Sequence, residues 1–267
     1  MIVLVRGGGD LASGVALRLF RAGLLPVISE IPHPLAVRRL VSFSEAIYRG
    51  EISVEGVRAR RVSSPEEAFR ILALGCIPVL VDPEAESRHV FRPRVLVDGR
   101  MTKLPPDLGL EAASLVIGLG PGFIAGENCH AVVETNRGHS LGRVIWRGTA
   151  EADTGLPEAV GGRQAERVLR APTDGVLEAR VEIGEVVEPG VEIAQVGGLP
   201  VVAPFRGALR GLLPAGLPVK AGLKIGDLDP RADPRLCRLV SDKSLAIGGG
   251  VLEAILSRAD LRSHLWD

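Results

Sequence analysis

The sequence predicts an α/β protein with a parallel sheet at its amino end and a small all-β module behind it. Three observations carry the prediction. Short apolar runs alternate with helical patterns over about the first hundred residues. A glycine loop follows the first apolar run directly. The stretch from Ala171 to Asp229 repeats itself with an offset of 32 residues.

The β-branched run Ile2 to Val5 predicts the first strand, and Leu11, Val15, Ala16, Leu19 and Phe20 fall at helical spacing after it. Between them Gly7, Gly9 and Ala12 match a G-x-G-x-x-G/A fingerprint. Gly7 suits a tight turn, Gly9 lets backbone approach a diphosphate, and Ala12 lets helix and sheet close up. A Rossmann-like unit is therefore expected over residues 1–165, with Gly7, Gly8, Gly9, Asp10 and Ala12 as its anion cradle. The next apolar run, Leu24 to Ile28, ends at Glu30, eighteen residues after Ala12, where an acid would accept ribose hydroxyls. A glycine turn that packs the first βα unit and binds nothing is the competing reading.

Pro34 to Tyr48 looks helical, with Leu35, Leu40, Val41 and Ala46 inward, and Ile52 to Val62 alternates as a ribbon turning near Glu55 and Gly56. Ser64-Pro65-Glu66-Glu67 opens a helix: serine caps, proline suits the first turn, and two acids oppose the dipole. The apolar run Ile77 to Val81 closes on Asp82, which either meets a ligand at a strand end or caps the turn Asp82-Pro83. Val95–Val97, Leu115–Ile117, Ala131–Val133 and Val144–Trp146 are further strands. Gly118, Gly120 and Gly122 form a second glycine loop after one of them, able to present amides to an anion.

Composition limits what the chain can do. Its 267 residues suffice for a large core, with 46% hydrophobic residues and a formal net charge of zero. That balance excludes a nucleic-acid or membrane binder that works by bulk charge. No signal peptide is read at the start, and charges or prolines interrupt every apolar stretch, so a cytoplasmic protein is expected. Cys76, Cys129 and Cys237 are widely spaced and form no zinc pattern. Two Asn, two Gln and two Met beside many Arg and Glu is the bias of proteins from hot environments.

In the repeat, Ala171-Pro172-x-x-Gly175 returns as Ala203-Pro204-x-x-Gly207. Likewise Gly184-x-x-Val187-x-x-Gly190-x-x-Ile193 returns as Gly216-x-x-Val219-x-x-Gly222-x-x-Ile225. Short strands with Gly/Pro turns at this spacing predict two interleaved hairpin units over residues 166–232, a barrel-sandwich that resembles the biotinyl/lipoyl-carrier fold. The hairpin Val196 to Val201 has no lysine, so a carrier role is not expected and the module is read as a packing or docking element. Residues 233–267 are expected to return to the α/β domain, with Gly248-Gly249-Gly250 ahead of a last helix from Val251.

Glu134-Thr-Asn-Arg-Gly-His139 packs titratable groups beyond a strand end. His139 is the candidate acid/base, Glu134 its acidic companion, and Asn136 and Arg137 the candidates to hold an anion. Ser241-Asp242-Lys243 is a second polar cluster, with Lys243 the third catalytic candidate. Asp227 and Asp229 offer oxygens to Mg²⁺ but lack a visible third ligand, and no metal site is assigned. Cys129 and Cys237 are read as inert thiols rather than sulfur or selenium carriers.

Several blocks together resemble one family: Arg6 to Gly14, Arg38 to Ala46, Gly118 to Gly126, Glu134 to His139, Lys224 to Arg231, and Ser241 to Lys243 with Ile247 to Glu253. It is the YqeB family of selenium-dependent molybdenum hydroxylase system proteins. The resemblance implies an accessory factor in molybdenum cofactor maturation, with an amino-terminal unit similar to that of XdhC-type proteins. The implied partners are a molybdenum hydroxylase and other maturation proteins, and the implied cofactor is molybdopterin dinucleotide. The alternatives are an NAD(P)-dependent oxidoreductase using the same fingerprint, and a scaffold that docks hydroxylase subunits through the β module. Whether the protein is an enzyme, which nucleotide it takes and whether it forms a homo-oligomer stay open.

Overall fold

Val3, Leu4 and Val5 are consecutive and wholly buried, as residues of a strand covered on both faces must be. They lie in β1 (Ile2–Arg6), at the centre of the sheet of the first of two compact units. The computed structural model describes residues 1–102, 104–153, 155 and 160–265. The first unit comprises Met1–Pro34, Ser42–Asp153 and Val240–Asp267. Its chain runs through β1, α1 (Asp10–Arg21), β2 (Leu25–Glu30), α2 (Ala46–Arg49), β3 (Glu51–Val54), β4 (Val57–Val62), α3 (Pro65–Ala73), β5 (Ile77–Val81), α4 (Arg88–Phe91) and β6 (Val95–Asp98). It continues through β7 (Leu115–Leu119), β8 (Ala131–Val133) and β9 (Val144–Ile145), and returns as α5 (Asp242–Ser257) and α6 (Ala259–Arg262).

The sheet order is β3-β4-β5-β2-β1-β6-β7-β8-β9, nine strands in all. From β4 to β8 every neighbour is parallel, while β3 and β9 pair antiparallel at the two margins. The expectation of a Rossmann-like parallel sheet is therefore corrected to a mixed one. The reason is local: a two-residue turn at Glu55 and Gly56, both with positive φ, can only reverse the chain. Leu4, Val27, Leu96, Val116 and Val132 pack with Ala68, Ile71 and Leu72 of α3. Each Val, Leu or Ile side chain among them contributes about 1.5–3 kcal/mol on burial. The Ser64 hydroxyl caps α3 by accepting from the Glu67 N–H at 3.2 Å.

Two more expectations fail here. Pro34 to Tyr48 is no single helix: Leu35–Val41 belongs to the second unit, short 3-10 turns stand at Arg39–Val41 and Phe43–Glu45, and only Ala46–Arg49 is α-helical. Of the residues expected inward, Leu35 is exposed and Leu40 half-buried, while Val41 is buried in the second unit and Ala46 in the first, so their spacing describes no single helix face. The glycines at 248–250 do not precede the last helix but lie inside it, since α5 already starts at Asp242 behind a Ser241 cap. They permit close approach. A Cβ on Gly248 would lie 2.8 Å from the Gly14 carbonyl oxygen, and one on Gly14 2.6 Å from that of Ser244, so α1 and α5 meet backbone to backbone.

The second unit comprises Leu35–Val41 and Thr154–Leu239. Its strands are β10 (Val168–Arg170), β11 (Gly175–Ala179), β12 (Val186–Val187), β13 (Glu192–Val196), β14 (Leu199–Val202), β15 (Gly207–Leu212), β16 (Pro218–Val219) and β17 (Lys224–Asp229). They form two four-stranded sheets, β10-β17-β15-β12 and β14-β13-β11-β16. Shifting β10, β11, β12 and β13 by the repeat offset lands on β14, β15, β16 and β17, and the exchange turns one sheet order into the other. The biotinyl/lipoyl assignment is nevertheless withdrawn. A repeat dictates exchange symmetry between sheets, not membership of a carrier fold, and the β13–β14 hairpin turns on Gly197 and Gly198 alone. Asp227 and Asp229 face arginines rather than a cation: Arg167 lies 3.0 Å from Asp227 and Arg231 2.6 Å from Asp229. Burial opposes ionisation of Asp229, but the bonds from Arg231 outweigh it and hold its carboxyl below the usual range.

Candidate ligand site at the carboxyl edge of the sheet

In an open α/β sheet the strands' carboxyl ends meet solvent where the connections diverge. Here β1 leads through α1 to β2 on one side, while β6 pairs with its other side, so the divergence falls between β1 and β6. The register there sets Arg6 opposite Asp98.

The first glycine loop starts at this point. Gly7 has φ +87, and its N–H donates to the Ser29 carbonyl at 2.8 Å. The Gly8 N–H donates to the Glu30 carboxylate at 2.7 Å, and the Gly8 carbonyl accepts from the Ser44 N–H at 2.9 Å. A Cβ on Gly8 would meet the Ser44 nitrogen at 2.8 Å, so the close approach this loop makes is to its own chain. Gly9, by contrast, faces open space: nothing lies within 4 Å of a Cβ built there. Ala12 is buried, and Gly99 packs directly on it.

Glu30 does not project as a ribose acceptor. Its carboxylate accepts from the Gly8 and Ile31 amides at 2.7 and 2.8 Å, so it supplies the negative charge that a diphosphate would have brought to Gly8. Burial pushes its pKa up, against the pull of the two amides. An NMR pH titration of the Gly8 and Ile31 amides is expected to show a shared midpoint above the ordinary 4.5. Since folding then favours the neutral form, this contribution to stability is present below the ordinary value and is lost as pH rises through the raised one. A midpoint at or below 4.5 would contradict this account.

Four charged residues at this edge escaped the sequence reading. Arg6 is wholly buried, and its Nη1 and Nη2 donate to the two Asp107 oxygens at 2.6 and 2.9 Å. Arg100 donates to both Asp98 oxygens and, through Nη2, to Asp107 at 2.6 Å. Asp98 is buried and lies 3.5 Å from Arg6. The bonds from Arg6, then those from Arg100, hold the Asp107 carboxyl well below the usual range despite partial burial. The signal in the sequence was an arginine closing an otherwise apolar strand immediately before glycines, and Asp98-Gly99-Arg100 closing the strand beside it.

The second predicted cluster is dispersed. Glu134 is buried beneath its own loop, where its carboxylate accepts from the Thr135, Asn136 and Glu151 amides, each at 2.7 Å. It pins the backbone and has no proton-transfer partner in His139, which is exposed. Asn136 donates to Glu151 at 2.5 Å, and Arg137 forms a two-pronged pair with Asp242 at 2.6 and 2.9 Å. Lys243 is half-buried beside it in the first turn of α5. Asp10 accepts from the Ser244 hydroxyl at 2.9 Å, which ties the start of α1 to the start of α5. In the second glycine loop a Cβ on Gly118 would strike the Phe123 ring and one on Gly120 the Thr135 hydroxyl. Both glycines are spent on packing, and Gly122, at φ +102, turns the chain. Asp82 caps its turn, accepting from the Glu86 and Ser87 amides at 2.8 and 3.0 Å.

All three cysteines are buried thiols. Burial pushes them up, Cys129 to about 11, so none offers a thiolate near neutral pH. Among the described residues no three His, Cys, Asp or Glu side chains gather to hold a metal, and no helix is long and apolar enough to cross a membrane. A cleft of about 250 Å³ opens at the other end of β1, lined by Ile2, Phe91, Arg92, Arg94 and His264 among others, with no acid among the described residues of its wall.

No protein-family model matches the chain. It is 46% identical over 255 residues to "Uncharacterized protein YqeB" of Escherichia coli (strain K12), a span of 96% of this chain and 47% of that protein. The chain is thus a relative of YqeB over nearly all its own length and spans about half the length of that curated relative. Solved structures give only faint likenesses. An aspartoacylase family protein from Mesorhizobium loti matches at TM-score 0.27 and 10% identity, over 85% of this chain and 84% of that one. A succinylglutamate desuccinylase/aspartoacylase from Rhodobacter sphaeroides matches at TM-score 0.27 and 10% identity, over 85% of each. The expectations of a molybdenum-cofactor maturation factor and of an NAD(P)-dependent oxidoreductase both needed Gly8 and Glu30 to face a diphosphate and a ribose; the two bond to each other instead, and both readings are withdrawn, as is the hydroxylase-docking scaffold with the biotinyl/lipoyl assignment of its β module.

Proposed function

We propose that the first unit of this YqeB relative is a small-molecule-binding domain whose ligand sits at the carboxyl ends of β1 and β6. One observation supports this reading above the rest. At the point where the chain connections diverge, Gly9 opens α1 onto space that no protein atom fills within 4 Å of a Cβ. The first-turn amides of α1 and its dipole favour a group bearing negative charge there. Glu30 already neutralises the deeper part of the loop, so the ligand's anionic group approaches Gly9 rather than Gly8.

Mass spectrometry of small molecules that co-purify with the native chain, followed by calorimetric titration of each, tests the proposal. Gly9→Val is the informative variant. Its φ of −69 suits any residue and its Cβ meets nothing, so the variant is expected to fold with a Tm within about 5 °C of the parent. Its added methyl groups occupy the proposed site, and binding is expected to fall at least about tenfold. Equal binding by the parent and Gly9→Val, or no co-purifying or titrating ligand at all, would overturn it.

A further inference from the structure

The ligand's chemical class follows from what now occupies the arginine fork. Resting on the binding-site reading above, we propose that the ligand carries a carboxylate, which Arg6 and Arg100 grip in place of the Asp107 carboxylate. Asp107 comes to the fork from outside. Its side chain is 43% exposed while that of Arg6 is 1% exposed, so an exposed residue on the connection from β6 to β7 delivers its charge to a buried guanidinium. The contact is two-pronged, with Nη1 to Oδ1 at 2.6 Å and Nη2 to Oδ2 at 2.9 Å, the planar match that a guanidinium makes with any carboxylate.

The fork keeps its shape without Asp107. Arg6 Nη2 also donates to the Pro83 carbonyl at 3.0 Å, and Asp98 holds Arg100 from β6 with bonds of 2.6 and 3.0 Å. Two guanidinium groups facing the single Asp98 carboxylate leave one positive charge when Asp107 swings away. That complements one carboxylate better than a phosphate dianion. Arg6 Nε is buried and has no acceptor among the described residues. Asp107 is therefore a built-in competitor. The apparent affinity for an outside carboxylate is reduced by the fraction of molecules in which Asp107 is seated.

Calorimetry of the full chain with sodium acetate, sodium succinate and inorganic phosphate tests this, using the parent, Asp107→Ala, Asp107→Asn, and Asp107→Ala combined with Arg100→Ala. Removing the competitor is expected to tighten acetate or succinate binding at least about tenfold. The gain should vanish in the double variant, and phosphate should not share it. Asp107→Asn keeps the side chain's shape without its charge and is expected to give part of the gain, which guards against a loop that collapses in the alanine variant. Folded Asp107 variants that bind acetate and succinate no tighter than the parent, or that gain phosphate equally, overturn the carboxylate assignment. The Gly9→Val experiment is decided separately. A ligand lost in that variant upholds the site even where the Asp107 variants gain nothing.

Discussion

Glu134→Ala is expected to lower the unfolding free energy by about 3 kcal/mol or more. The carboxylate is buried and accepts three backbone N–H groups at 2.7 Å, from Thr135, Asn136 and Glu151. Alanine leaves all three without this acceptor: the Thr135 amide is buried and its unpaired donor costs about 1–3 kcal/mol, and the part-buried Asn136 and Glu151 amides each lose a charge-assisted bond. Glutamine is no rescue, because one oxygen becomes an NH₂ that faces a donor. The measurement is urea unfolding, read as a fall in midpoint at unchanged slope. A midpoint change worth less than about 0.5 kcal/mol would refute the pinning role, since that is the scale of an ordinary surface substitution. The consequence reaches the sheet edge, because this loop also holds Arg137 in its pair with Asp242 at the start of α5. A residue chosen from the sequence for chemistry thus acts through backbone geometry.

Gly249→Ala and Gly250→Ala, neighbours in α5, are expected to act in opposite directions. Gly249 is exposed and its Cβ would meet nothing within 4 Å, so alanine should stabilise the helix by about 0.5–1 kcal/mol. Gly250 is buried. Its Cβ would fall inside the van der Waals shell of the Gly142 carbonyl oxygen and 2.9 Å from Val133 Cγ1. Overpacking there costs about 1–3 kcal/mol and outweighs the gain in helix propensity. Thermal unfolding of the two variants should therefore place one above and the other below the parent. The same sign for both would mean that the three glycines form a loop ahead of the helix, which the sequence alone suggested.

Much of the first unit was legible because its strands are buried on both faces. Val95–Val97, Leu115–Ile117 and Ala131–Val133 read as apolar runs and became β6, β7 and β8. Ser64-Pro65 gave a start signal whose hydroxyl does accept an amide. The site was harder to read. Glu30 stood at the right spacing, but spacing does not say which way a carboxylate turns, and the nearest unpaired amide, that of Gly8, claimed it. Arg6 looked like a strand terminus, since its partner Asp107 lies 101 positions away. Arg100 and Asp98 were equally invisible as a pair with Arg6, because only strand register sets β1 beside β6.

What the sequence by itself determined were the local outcomes: which runs become strands, where the glycine turns fall, and the offset of 32 that makes two sheets exchangeable. These depend on side-chain period and on φ, which neighbouring residues decide. Only the tertiary structure decided what the polar groups at the sheet edge do. A buried charge or amide takes whichever partner the fold brings within about 3 Å. Nothing in a local pattern says that Glu134 will pin amides, that Glu30 will close the glycine loop, or that Asp107 will sit in the fork of Arg6.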